Sequence, residues 1–151
     1  MHNDFFKILE KDHDEIKSIL EKLEKTSEGS AKTREDYFDN LKQELIPHMK
    51  AEENHFYPAL KKKEETRETA LEALEEHHVA ELVLMELDKM TKKEENWGAK
   101  LTVLKELIEH HIEEEEEEVF EDAKEYLDEG QIEKISKAFE KEKQQAKQNL
   151  A

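Results

Sequence analysis

Apolar side chains recur along this chain at alternating spacings of three and four residues, and this pattern limits the fold more than any other feature. The first run comprises Phe6, Leu9, His13, Ile16, Leu20 and Leu23. Such spacing places the side chains on one face of an α-helix. Among 151 residues there are only three Gly and two Pro, so the chain offers few sites for tight turns. The sequence therefore predicts an all-α protein built from a few long helices.

Three further runs have the same periodicity and predict three more helices. The second contains Phe38, Leu41, Leu45, His48, Glu52, either His55 or Phe56, and Ala59. The third contains Ala70, Ala73, His77, Ala80, Leu84 and Leu87. The fourth contains Trp97, Leu101, Leu104, Ile108, His111, Glu115 and Val119. In each run a histidine interrupts the apolar face.

The two halves of the chain repeat one pattern. The third helix matches the first at a shift of 64 residues, and the fourth matches the second at a shift of 63. The matched residues are His13 with His77, His48 with His111, and Glu52 with Glu115. Two equivalent helical hairpins joined by short loops close most simply into an antiparallel, up-down four-helix bundle.

A single domain is expected over residues 1–151, with its core at about residues 4–127. A weaker apolar pattern predicts a short fifth helix and a tail, which together occupy about residues 131–151. We expect this helix to fray into a polar tail from Gln144 onward, and we expect that tail to carry no chemistry.

The charge of the chain excludes several classes of partner. There are 24 basic and 41 acidic residues, which gives a net charge of −17. Such a surface repels phosphate backbones and anionic lipids, so neither nucleic acid nor a membrane surface is expected to bind.

The longest apolar run is about four residues, against roughly 20 for a membrane span. With no signal peptide and no cysteine, the cytoplasm is the default location, and no feature identifies a protein partner.

Polar residues on the apolar faces carry the chemistry. His48 and Glu52 are four residues apart, as are His111 and Glu115, so each pair can direct two ligand atoms to one point. An unpaired buried carboxylate costs several kcal/mol, so a shared compensator such as a metal centre is expected. Imidazole and carboxylate ligands without sulfur suit iron, manganese or zinc. Two glutamates could bridge two ions, with four terminal histidines: His13, His48, His77 and His111.

This arrangement resembles the hemerythrin-like (HHE cation-binding) domains over roughly residues 5–127. That family carries a lone His, a His-x-x-x-Glu motif, a second lone His and a second His-x-x-x-Glu motif on successive helices. The segments from His48 to Pro58 (HMKAEENHFYP) and from His110 to Phe120 (HHIEEEEEEVF) are similar to its signature segments. The resemblance implies a non-haem centre of two iron ions with an oxo or hydroxo bridge. It also implies an open position for dioxygen, nitric oxide or peroxide.

The sequence leaves several ligand assignments open. The register of the apolar faces favours His77 over His78 and His111 over His110. Possible additional ligands lie at His55, Glu81 and Glu118. Animal hemerythrins have a second histidine where this chain has Glu81, and their fourth helix has a longer-spaced Asp.

Our first expectation for the function is that the protein binds dioxygen or a related diatomic gas, for sensing, storage or scavenging. An enzyme that acts on peroxide or nitric oxide is the alternative, together with an iron-handling protein, so the sequence leaves catalysis undecided. A metal-free acidic interaction module is a remote alternative, because it would bury several unpaired polar groups. A ferritin-like site ranks well below the hemerythrin-like one, since the first helix offers no inward glutamate.

Overall fold

Helices make up most of the chain in the computed structural model, which describes residues 2–150. No strand occurs within that range. The helices are α1 (His2–Glu24), α2 (Ala31–Ala51), α3 (Tyr57–Lys61), α4 (Glu64–Lys89), α5 (Glu95–Glu114), α6 (Phe120–Tyr126) and α7 (Glu129–Leu150), with one 3₁₀ turn at Glu28–Ser30. The predicted all-α fold class is confirmed, and the all-helical structure is consistent with a helical bundle.

Two π-helical segments interrupt the longer helices at equivalent places in the two halves. Glu52–Phe56 joins α2 to α3, and Glu115–Val119 joins α5 to α6. Within them the backbone N–H of Tyr57 donates to the carbonyl of Glu52, and that of Phe120 donates to the carbonyl of Glu115. A π turn adds one residue to the helical register. The residue that follows each glutamate on the same face is therefore five positions later, instead of four.

A polar layer separates two apolar clusters in the core. One cluster lies around Phe5, Phe56 and Phe139, and the other lies around Leu20, Leu41 and Trp97. On α1, His13 lies between Leu9 of the first cluster and Ile16 of the second. The inward histidines and glutamates are therefore enclosed by packed hydrocarbon on both sides.

The C-terminal helix is longer than expected, and the prediction that it frays from Gln144 is wrong. Helix α7 runs over 22 residues, and its apolar face is buried at Ile132, Ile135 and Phe139. Asp128 and Gln131 exchange side-chain hydrogen bonds with each other's backbone N–H, which caps the start of the helix. Near the other end, Lys147 forms an ion pair with Glu44 at 2.9 Å.

None of the helices within residues 2–150 is long and apolar enough to cross a membrane.

A truncation in either apolar cluster should lower stability. Leu20 is fully buried, so Leu20→Ala should reduce the free energy of unfolding by about 2–5 kcal/mol through lost burial and a residual cavity. Leu82 is half exposed, and Leu82→Ala should change this free energy by less than about 0.5 kcal/mol. Urea unfolding of the metal-free proteins measures both, and equal effects would contradict the described core.

Candidate metal centre

Six inward side chains form two groups that share both glutamates. Within each group, one ligand atom per residue lies within 4.8 Å of every other. The first group is His13, His48, Glu52 and Glu115, and the second is Glu52, His77, His111 and Glu115. All of these side chains are buried apart from His111, which is slightly exposed. Each group could hold a cation, and we call the two candidate places the first and the second position.

The distances show that each imidazole directs Nε2 toward a shared glutamate. The four distances are 3.1 Å for His13 to Glu115, 3.3 Å for His48 to Glu52, 3.2 Å for His77 to Glu52, and 3.3 Å for His111 to Glu115. The two Nε2 atoms of His77 and His111 are 3.1 Å apart. Donor atoms of both types therefore converge at each position.

Three buried polar atoms at the centre have no hydrogen-bond partner in the described chain: His13 Nε2, Glu52 Oε2 and Glu115 Oε1. Leaving such atoms unsatisfied in an apolar interior costs free energy. A cation between them would engage all three. The donor set of imidazole nitrogens and carboxylate oxygens also fits iron, so the residues present fit a metal centre.

An outer layer of carboxylates fixes the four imidazoles. In each case Nδ1–H donates to a carboxylate oxygen, which leaves Nε2 free for a cation. The pairs are His13 with Glu116 at 2.7 Å, His48 with Asp12 at 2.8 Å, His77 with Glu53 at 2.8 Å, and His111 with Glu76 at 2.6 Å. All four imidazoles are thereby oriented by side chains from another helix.

Sequence reasoning missed this outer layer, although the repeat contains its signal. Asp12 and Glu76 each precede a lone histidine, and Glu53 and Glu116 each follow a core glutamate. Acidic residues at matched offsets in both halves indicate a shared role. However, the chain is so rich in acidic residues that these four cannot be distinguished from their acidic neighbours by sequence alone.

The hydroxyl of Tyr57 contacts every member of the second group. The oxygen lies 3.3 Å from Glu52 Oε1, 3.4 Å from His77 Nε2 and 3.3 Å from His111 Nε2. It also donates a hydrogen bond to Glu115. The π turn produces this position, because Tyr57 follows Glu52 by five residues.

Phe120 is the counterpart of Tyr57 in the other half. It follows Glu115 by five residues, and its ring stacks on His13 with centroids 6.3 Å apart. Tyr57 likewise packs against His77, at 5.2 Å. The second position consequently has a hydroxyl where the first has only a phenyl ring.

The structure places the favoured member of each neighbouring histidine pair inward. His77 is buried and His78 is exposed. His111 belongs to the second group, whereas His110 is 66% exposed and pairs with Glu114. Glu76, His110 and Glu114 form a further group within 4.8 Å, but at the surface.

The three possible additional ligands lie outside both central groups. His55 lies away from the centre, and its Nε2 lies 2.8 Å from Glu142 Oε1 of α7. The π turn explains this placement, since it rotates His55 off the face of His48. Glu81 accepts a hydrogen bond from Lys50, and Glu118 is exposed.

A small apolar cavity borders all four imidazoles. Its volume is about 20 Å³. Besides the histidines and Glu76, its wall consists of Ile16, Leu45, Met49, Ala80, Ile108 and Ile112. A cavity of roughly 10–15 Å³ already accommodates one water-sized molecule. The cavity is therefore large enough for a very small ligand, and most of its wall offers no hydrogen bond.

The charged forms of the central residues stabilise each other. Burial disfavours a charged imidazole, but the charge of Glu52 and hydrogen bonds to Asp12 and Glu52 outweigh it and raise the pKa of His48 to about 10. Burial also disfavours a charged imidazole at His111, but hydrogen bonds with Glu115 and Glu76 outweigh it and raise the pKa of His111 to about 10. Burial opposes ionisation of Glu115, yet its hydrogen bonds hold its pKa well below the usual range.

The stability of the metal-free protein should fall as pH rises above about 6.5. An imidazole whose pKa is raised from 6.5 in the unfolded chain to about 10 in the folded chain stabilises the fold fully below pH 6.5. That contribution is lost as pH rises through 10. The free energy of unfolding should decrease by about 1 kcal/mol per pH unit or more. Urea unfolding from pH 6 to pH 10 measures it.

A matched pair of variants assigns this pH dependence. His48→Gln should make the decrease shallower, whereas His78→Gln, at an exposed neighbour of the centre, should leave it unchanged. A stability that is flat or rises over this range in the unmodified protein would contradict the described pairing.

Comparison with known proteins agrees with this geometry. The family model described as the hemerythrin HHE cation-binding domain matches residues 4–123. Neither a curated protein nor a solved structure matches the chain. The matched range includes all six central residues and covers most of the sequence. The chain therefore belongs to the hemerythrin HHE cation-binding family.

Proposed function

We propose that this protein binds two iron ions at the two central positions and uses them to bind dioxygen or a related diatomic gas, for sensing, storage or scavenging. The observation that carries the proposal is the small apolar cavity against all four imidazoles. The antiparallel up-down order of the four helices is part of the same proposal.

Six residues would hold the ions. Glu52 and Glu115 belong to both groups and would bridge, while His13 and His48 terminate the first position and His77 and His111 the second. When bound, a pair of iron ions supplies the reversible redox change with which such gases are bound. The chain itself orients the imidazoles through the outer carboxylates and encloses the centre in hydrocarbon.

The wall of the cavity favours a diatomic gas over peroxide. Dioxygen and nitric oxide are nearly apolar and need no hydrogen bond from the wall. Hydrogen peroxide has two donors and several acceptor lone pairs, which Ile16, Ile108 and Ile112 cannot satisfy. Its transfer into this cavity would therefore carry a desolvation penalty.

One observation supports the enzymatic alternative. The hydroxyl of Tyr57 lies within 3.4 Å of ligand atoms at the second position, and it is a proton donor in a buried site. The reduction of peroxide or nitric oxide consumes protons, which this hydroxyl could supply. Reversible uptake of gas by the ferrous protein supports binding, and sustained turnover of peroxide or nitric oxide supports the enzyme.

Two adjacent histidines provide a matched test of the iron pair. His111→Ala removes an inward imidazole, so the variant should hold fewer than two iron ions per chain and lose the stability that they confer. His110→Ala changes the exposed neighbour and should retain two. Iron analysis after gel filtration measures both variants. One zinc ion, or no metal, in the unmodified protein would refute the proposal.

Filling the cavity tests the choice of ligand. Ala80→Val adds two methyl groups to the cavity wall, and overpacking of about 1–3 kcal/mol should weaken gas binding about tenfold or more. The iron content should remain at two per chain. Ala70→Val overpacks the same helix within the other apolar cluster and should leave gas affinity unchanged. Visible absorption during gas titration measures both, and equal affinities would contradict a ligand in this cavity.

A further inference from the structure

Helix α7 lies outside the residues that match the family model, yet it contacts the metal centre. The match ends at residue 123, and α7 begins at Glu129. Its contacts reach two places: the outer carboxylate of His48, and the π segment that follows Glu52. The outer carboxylate, Asp12, lies on the first of the four predicted helices, and the π segment lies on the second.

Lys143 completes a chain of charged groups that leads to the first position. Its ammonium lies 2.9 Å from Asp12 Oδ1 and 3.1 Å from Asp12 Oδ2, and Asp12 Oδ2 accepts from His48 Nδ1 at 2.8 Å. The side chains of Asp12 and Lys143 are only 8% and 13% exposed. Because both side chains are shielded from water, the charge-assisted hydrogen bond from Lys143 fixes the orientation of Asp12, and Asp12 in turn fixes the imidazole of His48.

Two further side chains of α7 hold the same region. The ring of Phe139 is fully buried and meets the ring of His48 edge-on, with centroids 5.7 Å apart. Glu142 accepts a hydrogen bond from Asn54 Nδ2 at 2.7 Å and lies 2.8 Å from His55 Nε2. Helix α7 therefore covers the first position and restrains the π segment that lies next to that position.

The repeat-equivalent site has no such support. Glu76 corresponds to Asp12 and orients His111 as Asp12 orients His48. Its side chain is 24% exposed, and within residues 2–150 no lysine pairs with it. Its other neighbours are His110 and Glu114 at the surface. The two positions therefore have the same kinds of ligands but differ in what restrains them.

We infer that Lys143 of α7 is a positioning residue for His48, and that it makes the ion at the first position much slower to leave than the ion at the second. The inference rests on the proposed function, because it requires two bound ions. Lys143 holds Asp12, so His48 keeps one orientation with Nε2 toward the centre. Helix α7 also covers this side against solvent. The outer carboxylates Glu116, Glu53 and Glu76 are all partly exposed, and the lysine nearest to any of these at the second position, Lys50, lies 3.5 Å from Glu53. The difference between the positions therefore rests on the buried pair of Lys143 with Asp12, and the second position, which lacks such a pair, releases its ion first.

Release of ferrous ions to a chelator, under anaerobic conditions and from the full chain, tests this. The unmodified protein should release one ion quickly and one slowly. Lys143→Met should accelerate the slow phase by about tenfold, the lower end of the range for removing the direct partner of a ligand, because Lys143 acts on His48 through Asp12. The fast phase should not change. Lys143→Arg keeps the positive charge and should restore the slow phase.

Lys147→Met is the matched control, because Lys147 lies one turn further along α7 and pairs with Glu44 away from the centre. It should leave both phases unchanged. The metal-free forms of the Lys143→Met and Lys147→Met variants should unfold at similar temperatures, which separates positioning from general loosening.

Three outcomes would overturn the inference. If Lys143→Met releases both ions at the original rates, or accelerates both equally, this inference fails while the proposed function stands. If the unmodified protein holds fewer than two ferrous ions, the proposed function fails, and the inference fails with it.

Discussion

Two carboxylates in the middle of an apolar bundle impose the constraint on which the rest of this structure depends. Glu52 and Glu115 are fully buried, and an uncompensated charge there would cost several kcal/mol. Helices from both halves therefore bring imidazoles to them, and a second set of carboxylates holds those imidazoles in place. The apolar core is divided in two as a result, so packing alone does not hold the centre of the molecule together.

The inward histidines could be predicted from sequence because an apolar helical face defines a direction. His77 continues the face of Ala73 and Ala80, and that is enough to favour it over His78. In the same way, the separation of four residues between His48 and Glu52 predicts that both point to one place. These inferences need only the period of an α-helix, and the helix is regular up to each glutamate.

Prediction stops where the register changes. The apolar periodicity of the sequence does not reveal a π turn, because contacts between helices accommodate the extra residue. The apolar periodicity therefore does not place Tyr57 at the centre, and it makes His55 a possible ligand. Helix α7 was underestimated for a related reason. Its apolar face is narrow, and its length depends on capping by Asp128 and on ion pairs to distant segments, such as Lys147 with Glu44.

The duplicated hairpin has a consequence for symmetry. Each hairpin supplies one lone histidine and one His-x-x-x-Glu pair, so two identical copies would already contain a full set of six ligands. In a homodimer every substitution would occur twice, and the two positions would stay alike. Joining both copies in one polypeptide removes that restriction. Tyr57 opposite Phe120, and a lysine beside Asp12 with none beside Glu76, are changes that only a fused pair can make on one side.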